Sequence, residues 1–326
     1  MYPNESNELE FARNTILVNQ FCKIVTLCGD DCPIVPIKGI SLLFTIYKDN
    51  YARNMADIDF LVAEKNVPRL VEKLESIGYR FRKNHNNLKT RLNLKHKFDM
   101  VNVNNRFCDL DIHTGLINEK FVQDTSENFT DFTISRLQTR TYNNLKLFFL
   151  NPVDEWIYLA QHYCFHFFSR DKWLHDLYLI QAGFSNSDIT ELITISQKFH
   201  FERIVTVASL KLRQQYGIET IKIPPLISKW HSLNFILSYK PQNKFAHKMV
   251  IIHRRSLFID NKKTRNKAYL KLFIPKLNYL SDTYHCNKFV AFLLIPIHLL
   301  LSLLSLLSFW LIYASYRTPY QRFQRI

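Results

Sequence analysis

The sequence predicts an α+β fold: a mixed sheet flanked by helices, followed by a helical domain and a C-terminal transmembrane helix. Three observations predict it. In the first 150 residues, short apolar runs with strand periodicity, such as Ile34 to Ile37, Ile58 to Val62 and Phe98 to Val103, alternate with helix-spaced segments. From Asn151 to about Leu237 the periods are mostly helical. Phe289 to Tyr313 is then almost unbroken hydrocarbon and aromatic. The expected division is 1–150 for the sheet domain, 151–240 for the helical domain, 241–288 for a basic juxtamembrane segment, 289–313 for the span and 314–326 for a basic tail.

Taken in order, Glu8 to Cys28 has helix-spaced apolar residues suited to packing on a sheet. Ile34-Val35-Pro36-Ile37 is a short strand leading into Lys38-Gly39, and Ile40-Ser41-Leu42-Leu43-Phe44 is a helix whose N-terminus can receive phosphate. The spaced glycines and terminal Lys-Ser/Thr of a P-loop are missing, so this is not a Walker site. Next comes Ala56-Asp57-Ile58-Asp59-Phe60-Leu61-Val62. Successive strand side chains alternate faces, so Asp57 and Asp59 point one way and Ile58 the other. Two carboxylates on one face repel unless a cation lies between them, and Mg²⁺ favours carboxylates together with substrate phosphates. A solvated edge strand is the plainer alternative.

Asn66 is the expected N-cap of a helix through Pro68 to Leu74 that closes near Gly78, and Tyr79 to Phe81 reads as a short strand. Phe98 to Val103 reads as another, with Asn104-Asn105 as a tight turn into Phe107 to His113. There Asp109, Asp111 and His113 share one face while Cys108, Leu110 and Ile112 share the other. A third acid on a strand beside Asp57 and Asp59 completes a two-metal clamp for phosphoryl transfer. Thr141 to Leu150 is predicted as one further strand. Asn151 then caps a helix with Pro152 at its first position and acids in its first turn.

That helix carries His162 and His166 four residues apart, hence on one face. No Glu follows the first histidine, so the zincin pattern is absent; a packed pair among Tyr158, Tyr163 and Phe167 is one reading and a ligand-facing pair the other. Asp176, beside Trp173, is expected to fix helix packing or orient a histidine. Arg53 is either a triphosphate-neutralising cation or an ordinary surface arginine.

The net charge of +15 calls for an anionic partner: nucleotide, nucleic acid or acidic lipid. The six cysteines fit no zinc pattern, and Cys28 and Cys32 are too far apart for a Cys-x-x-Cys motif, which points to free thiols in a reducing compartment. The N-terminus has neither a basic start nor an apolar core, so no signal peptide is expected. At about 1.5 Å per residue the run 289–313 is long enough for a ~30 Å bilayer core, with Trp310 and Tyr313 placed as interfacial anchors; a re-entrant or interfacial hairpin bent at Pro296 is the alternative. Lys262, Lys263, Arg265 and Lys267 ahead of it tip the orientation towards a cytoplasmic catalytic domain. The basic stretch Lys244 to Lys276, interleaved with Phe245, Phe258, Tyr269 and Phe273, suits anionic lipid first and RNA second.

Lys38-Gly39, Arg53, Asp57-Ile58-Asp59-Phe60-Leu61-Val62 and Asp111-Ile112-His113 together resemble the uncharacterised nucleotidyltransferase family of the polymerase-β-like superfamily. The resemblance runs on through Gly78-Tyr79, Asn151-Pro152-Val153-Asp154-Glu155, His162, His166 and Trp173-Leu174-His175-Asp176, covering roughly the first 180 residues. Many superfamily members have Gly-Ser where this chain has Lys38-Gly39, with Ser41 two positions on. The resemblance implies a polymerase-β-like domain that transfers a nucleoside monophosphate from an NTP by two-metal catalysis. Asp57, Asp59 and Asp111 would hold Mg²⁺, with Mn²⁺ the substitute. Lys38, Gly39, Ser41, Arg53, His113, His162 and His166 would contact nucleotide. The acceptor is open among a lipid-linked sugar, a peptide, a protein and tRNA. The rival expectations are a non-catalytic nucleotide-binding scaffold at the membrane and a toxin-type transferase acting on tRNA.

Overall fold

A computed structural model describes residues 5–47, 53–82, 96–105, 108–117, 128–219 and 286–315, with Ile221 and a few single positions between 258 and 281. Two compact units form: one from residues 1–119, 126–159 and 175–185, the other from 120–125, 160–174 and 186–326. The boundary expected at residue 150 therefore lies inside the first unit, which also takes the first part of the Asn151-capped helix and a later helical segment. The juxtamembrane segment 241–288 and the tail 314–326 fall almost wholly outside the described residues.

The first unit is built on a five-stranded mixed sheet in the order β1-β2-β5-β4-β3, with β1 Ile34–Pro36, β2 Ile58–Val62, β3 Tyr79–Phe81, β4 Lys97–Asn102 and β5 Leu110–His113. Only β2 and β5 run parallel; the other pairs are antiparallel. Helices α1 (Glu5–Cys28), α2 (Lys38–Thr45) and α3 (Val67–Ser76) accompany it. The apolar positions of α1 at Leu17, Phe21 and Ile24 are fully buried. Phe21 meets Phe60 of β2 and Phe44 of α2 at centroid distances of 6.5 and 5.9 Å, so helix and strand periodicities close on one core.

Two local expectations fail for identifiable reasons. Asn66 does not cap α3: it ends a 3-10 turn, Glu64–Asn66, in helical conformation, and its side chain makes no capping bond. The turn already leads the chain into the helix, so no extended N-cap residue exists. The single strand expected over 141–150 is a hairpin, β6 Gln138–Tyr142 and β7 Leu145–Phe149. Asn143 and Asn144, with φ of 46° and 62°, make the two-residue left-handed turn that matches strand twist.

After a short helix α4 (Phe129–Ile134), the chain continues through α5 (Pro152–Phe165), α6 (Asp171–Ala182), α7 (Asn186–Lys198) and α8 (Glu202–Tyr216). Asn151 caps α5 as expected, its side-chain oxygen accepting from Val153 N at 3.0 Å. Gly217 closes α8 at φ 68°, its N–H reaching Arg213 O.

The C-terminal span expected over 289–313 is not supported. Residues 288–315 form two helices, α9 Lys288–Leu293 and α10 Ile295–Ser315, separated at Leu294 ahead of Pro296, whose ring nitrogen cannot donate to a continuing helix. Among the described residues, no helix is long and apolar enough to cross a membrane.

Candidate active site

The site begins with strand register. In the parallel pair, Asp59 of β2 stands opposite Asp111 of β5, and Leu61 opposite His113. Alternation sends Ile58, Phe60, Leu110 and Ile112 into the apolar core and leaves the two acids and His113 together on one face. All three are buried, at 6%, 9% and 7% exposure, and each offers a ligand atom within 4.8 Å of the others. His113 Nε2 lies 3.3 Å from Asp111 Oδ2 and 3.6 Å from Asp59 Oδ1.

Into this cluster comes Lys38. Its Nζ is 2.7 Å from Asp59 Oδ1, 3.7 Å from Asp111 Oδ2 and 3.4 Å from His113 Nε2. The adjoining Ile37 N–H bonds to Asp59 O at 3.1 Å, which fixes the entry to α2 against β2. Lys38 itself sits at φ 56°, a left-handed conformation that costs an L-residue roughly 1–2 kcal/mol. Lys97, opposite His113 on β4, puts its Nζ 2.6 Å from Asp111 Oδ2.

Burial opposes charge on both acids, but Lys38 and His113 outweigh it at Asp59, and His113, Lys38 and Lys97 outweigh it at Asp111. Both carboxyls are held below the ordinary range. Burial likewise works against the Lys38 ammonium, and Tyr158, Asp59 and Asp111 overturn it, so Lys38 stays charged. Two anions and two cations thus face one another in a site mostly screened from water.

Asp57 behaves differently. It sits in the bend just before β2, exposed, and is pushed up to about 6 by desolvation and by Asp59. Asp109, the competing third acid, is claimed by Arg82 through an ion pair, which leaves Asp111 as the acid facing Asp59.

Several expected site residues have other work. Arg53 donates from Nε and Nη2 to the Asp176 carboxylate at 2.7 to 3.0 Å, and Tyr47 adds a hydroxyl bond at 2.7 Å. The Arg53 and Asp176 side chains are 5% and 0% exposed, so this guanidinium is committed to a buried ion pair, and the packing role expected of Asp176 is the one its contacts describe. Gly39 is explained by the same arginine: a Cβ there would lie 2.4 Å from Arg53 Nη1. Ser41 is fully buried, beside the carboxyl of Glu155, which burial pushes up to about 7 against the opposing effect of Ser41. In the second unit, His162 stacks with His166 at 4.4 Å and with Trp173 at 4.5 Å. Their shared face is met by aromatic packing.

Two residues escaped sequence reasoning as site members, Lys97 and Tyr158. Lys97 becomes visible only once β4 is registered against β5. Tyr158 had a signal: with Glu155 and His162 it forms an i, i+3, i+7 stripe along α5, and it is buried against Lys38.

The donor set fits a divalent cation. It combines two ionised carboxylates with an imidazole, an ammonium already lies among them, and Asp111 Oδ1 is buried without a hydrogen-bond partner among the described residues. Compared with known proteins, the chain matches a family described as uncharacterised nucleotidyltransferase over residues 4–216, more than half its length. No curated protein matches it. Among solved structures, the solution structure of the antibiotic-resistance factor ANT(2'')-Ia is similar at 12% sequence identity and a TM-score of 0.36, covering 57% of this chain and 94% of that one. A likeness that loose says nothing more about this chain.

Proposed function

The chain belongs to the uncharacterised nucleotidyltransferase family, and from that premise we propose that it transfers a nucleoside monophosphate from an NTP to an acceptor hydroxyl. The observation that carries this reading is the opposition of Asp59 and Asp111 across β2 and β5, with Asp57 two residues before Asp59 at the strand entrance. Asp57, Asp59 and Asp111 would hold Mg²⁺ or Mn²⁺, which supplies positive charge for the triphosphate and acidity for the attacking hydroxyl.

In the reaction, the acceptor oxygen bonds to the α-phosphorus as the bond to the bridging oxygen of pyrophosphate breaks. Pyrophosphate leaves with the electron pair, and the hydroxyl proton passes to solvent. Asp111, kept ionised by its neighbours, orients the acceptor, and His113, within 4 Å of both acids, adds a nitrogen donor beside them. Lys38 and Lys97 are the cations near enough to offset charge that builds on the phosphates. Ser41 and Arg53 take no part, since one is enclosed beside Glu155 and the other is spent on Asp176.

Location is proposed from the C-terminal helices alone. Phe289, Phe292, Leu300 and Leu304 expose large apolar side chains, a surface that a membrane interface would cover without a span, on the side where NTP is supplied. The acceptor class stays open among lipid-linked sugar, peptide, protein and tRNA. A second reading, a nucleotide-binding scaffold without turnover, is favoured by one observation: the Lys38 ammonium lies within 4 Å of both Asp59 and Asp111.

Thermal unfolding with each NTP, with and without Mg²⁺, tests the proposal. Saturation at about 100 times the dissociation constant adds about 2.7 kcal/mol to the native state. A Mg²⁺-dependent shift lost on Asp57→Asn/Asp59→Asn is expected; no shift with any NTP overturns the proposal, and a shift without any nucleotidylated product moves the assignment to the scaffold.

A further inference from the structure

The ammonium of Lys38 occupies the place a metal ion would take. It is the one cation that lies within 4 Å of Asp59 Oδ1, Asp111 Oδ2 and His113 Nε2 at once among the described residues. These are the three residues whose ligand atoms cluster closely enough to share an ion. A metal sharing these carboxylate oxygens would sit within a few ångströms of the Lys38 ammonium, so the two cations would repel and compete for the same oxygens.

We propose that Lys38 is an internal placeholder for the metal, filling the Asp59–Asp111–His113 pocket in the free protein and releasing it when the phosphates of a nucleotide draw the ammonium away. The inference rests on the metal-dependent reading of this site and adds the order of events to it.

Three features support it. Lys38 is held in a left-handed backbone conformation at the first residue of α2, and this turn, rather than a flexible surface tether, carries its side chain to the carboxylates. A conformation of that kind persists where surrounding contacts hold it, and here the Asp59 ion pair and the Ile37-to-Asp59 backbone bond supply them. Both acids of the pocket are also already paired, Asp59 with Lys38 and Asp111 with Lys97, so a divalent ion entering alone must compete with an ammonium. Finally, a triphosphate offers Lys38 an anionic partner of higher charge than one carboxylate, so nucleotide and metal exchange places with the lysine in a single step of charge redistribution. Metal affinity is therefore low without nucleotide and high with it.

His113 gives the pocket a nitrogen donor, which an ion such as Mn²⁺ accepts more readily than Mg²⁺ does. Mn²⁺ is thus the better probe, and its electron paramagnetic resonance signal reports binding without any need for turnover.

The test is Mn²⁺ binding to the full-length protein followed by that signal, with wild type, Lys38→Met and Lys38→Gln, each with and without a non-hydrolysable NTP analogue. Circular dichroism verifies that each variant is folded. Wild type should bind Mn²⁺ at least about tenfold more tightly with the analogue. Both variants should bind it comparably tightly without the analogue, because their pocket has lost its own cation. If folded Lys38→Met and Lys38→Gln bind Mn²⁺ no better than wild type while wild type with analogue binds it well, the placeholder role is overturned and the metal-dependent transferase reading stands. If no protein binds Mn²⁺ under any condition, the metal-dependent reading falls and takes the placeholder with it.

Discussion

Arg53 and Asp176 are far apart in sequence yet form a two-pronged ion pair in which neither side chain is more than 5% exposed. The pair joins the segment just ahead of the acidic strand β2 to helix α6, and Gly39 is small so that the guanidinium can pass. The backbone next to Lys38, at Gly39, thus packs directly against the Arg53 guanidinium.

Breaking this pair by removing one partner leaves an uncompensated buried charge. Asp176→Ala or Arg53→Ala should lower stability by about 3–5 kcal/mol in urea unfolding. Were Arg53 a nucleotide ligand instead, Arg53→Ala would raise the KM for NTP and leave the unfolding midpoint unmoved.

Asp59→Asn and Asp111→Asn each remove a charge that faces the reacting phosphates. Transfer of label from an α-labelled NTP should fall by at least about 100-fold in each, with the folded state retained, because Lys38 keeps one carboxylate partner in either variant. Unchanged labelling in both would remove the acids from the mechanism. Asp109→Asn, whose side chain pairs with Arg82, should transfer normally and serves as the internal comparison.

Glu155 makes stability fall as pH rises. Its carboxyl is pushed up to about 7, by burial first, while an unfolded glutamate titrates near 4.3. Between those values the folded state binds the proton more strongly, so stability present at low pH is lost as pH passes from about 4.3 to about 7, by up to roughly 4 kcal/mol. Asp57, raised to about 6, acts in the same direction, but its exposure weakens the effect. Glu155→Gln should flatten the slope between about pH 4.3 and 7 in denaturant titrations. A slope equal to that of wild type would mean that Glu155 is not the group responsible.

Part of the acidic site was legible because strand alternation is a two-residue rule: Asp111 with His113 could be assigned one face from spacing alone, whereas Asp57 lies in the bend before β2, outside the strand to which the rule applies. Choosing Asp111 over Asp109 needed the family pattern, and the physical reason, an ion pair from Arg82, is a contact across strands that spacing cannot express. The partners of Arg53 and Ser41 are hidden for the same cause, since spacing near a motif does not express that Arg53 pairs with Asp176 or that Ser41 is buried beside Glu155. The 25-odd apolar residues after Phe289 read as one helix by composition; Pro296 was noticed as a bend, but the break at Leu294 is a property of the backbone.

The β6–β7 hairpin yields the last prediction. Asn143 and Asn144 both occupy the left-handed region, which asparagine tolerates at some cost and glycine adopts freely. The absence of a glycine there is why the segment reads as one strand in sequence. Asn144→Gly converts the turn to the favoured Asn-Gly pair, and the relief of strain exceeds the extra freedom given to the unfolded chain. Thermal unfolding should show a gain of about 0.5–1 kcal/mol. The same substitution at Tyr142, inside β6 and edge-on to Phe44 at 4.8 Å, should destabilise instead, because it removes an aromatic contact and loosens a strand. A loss of stability in Asn144→Gly would mean that the Asn144 side chain makes contacts worth more than the strain of its backbone.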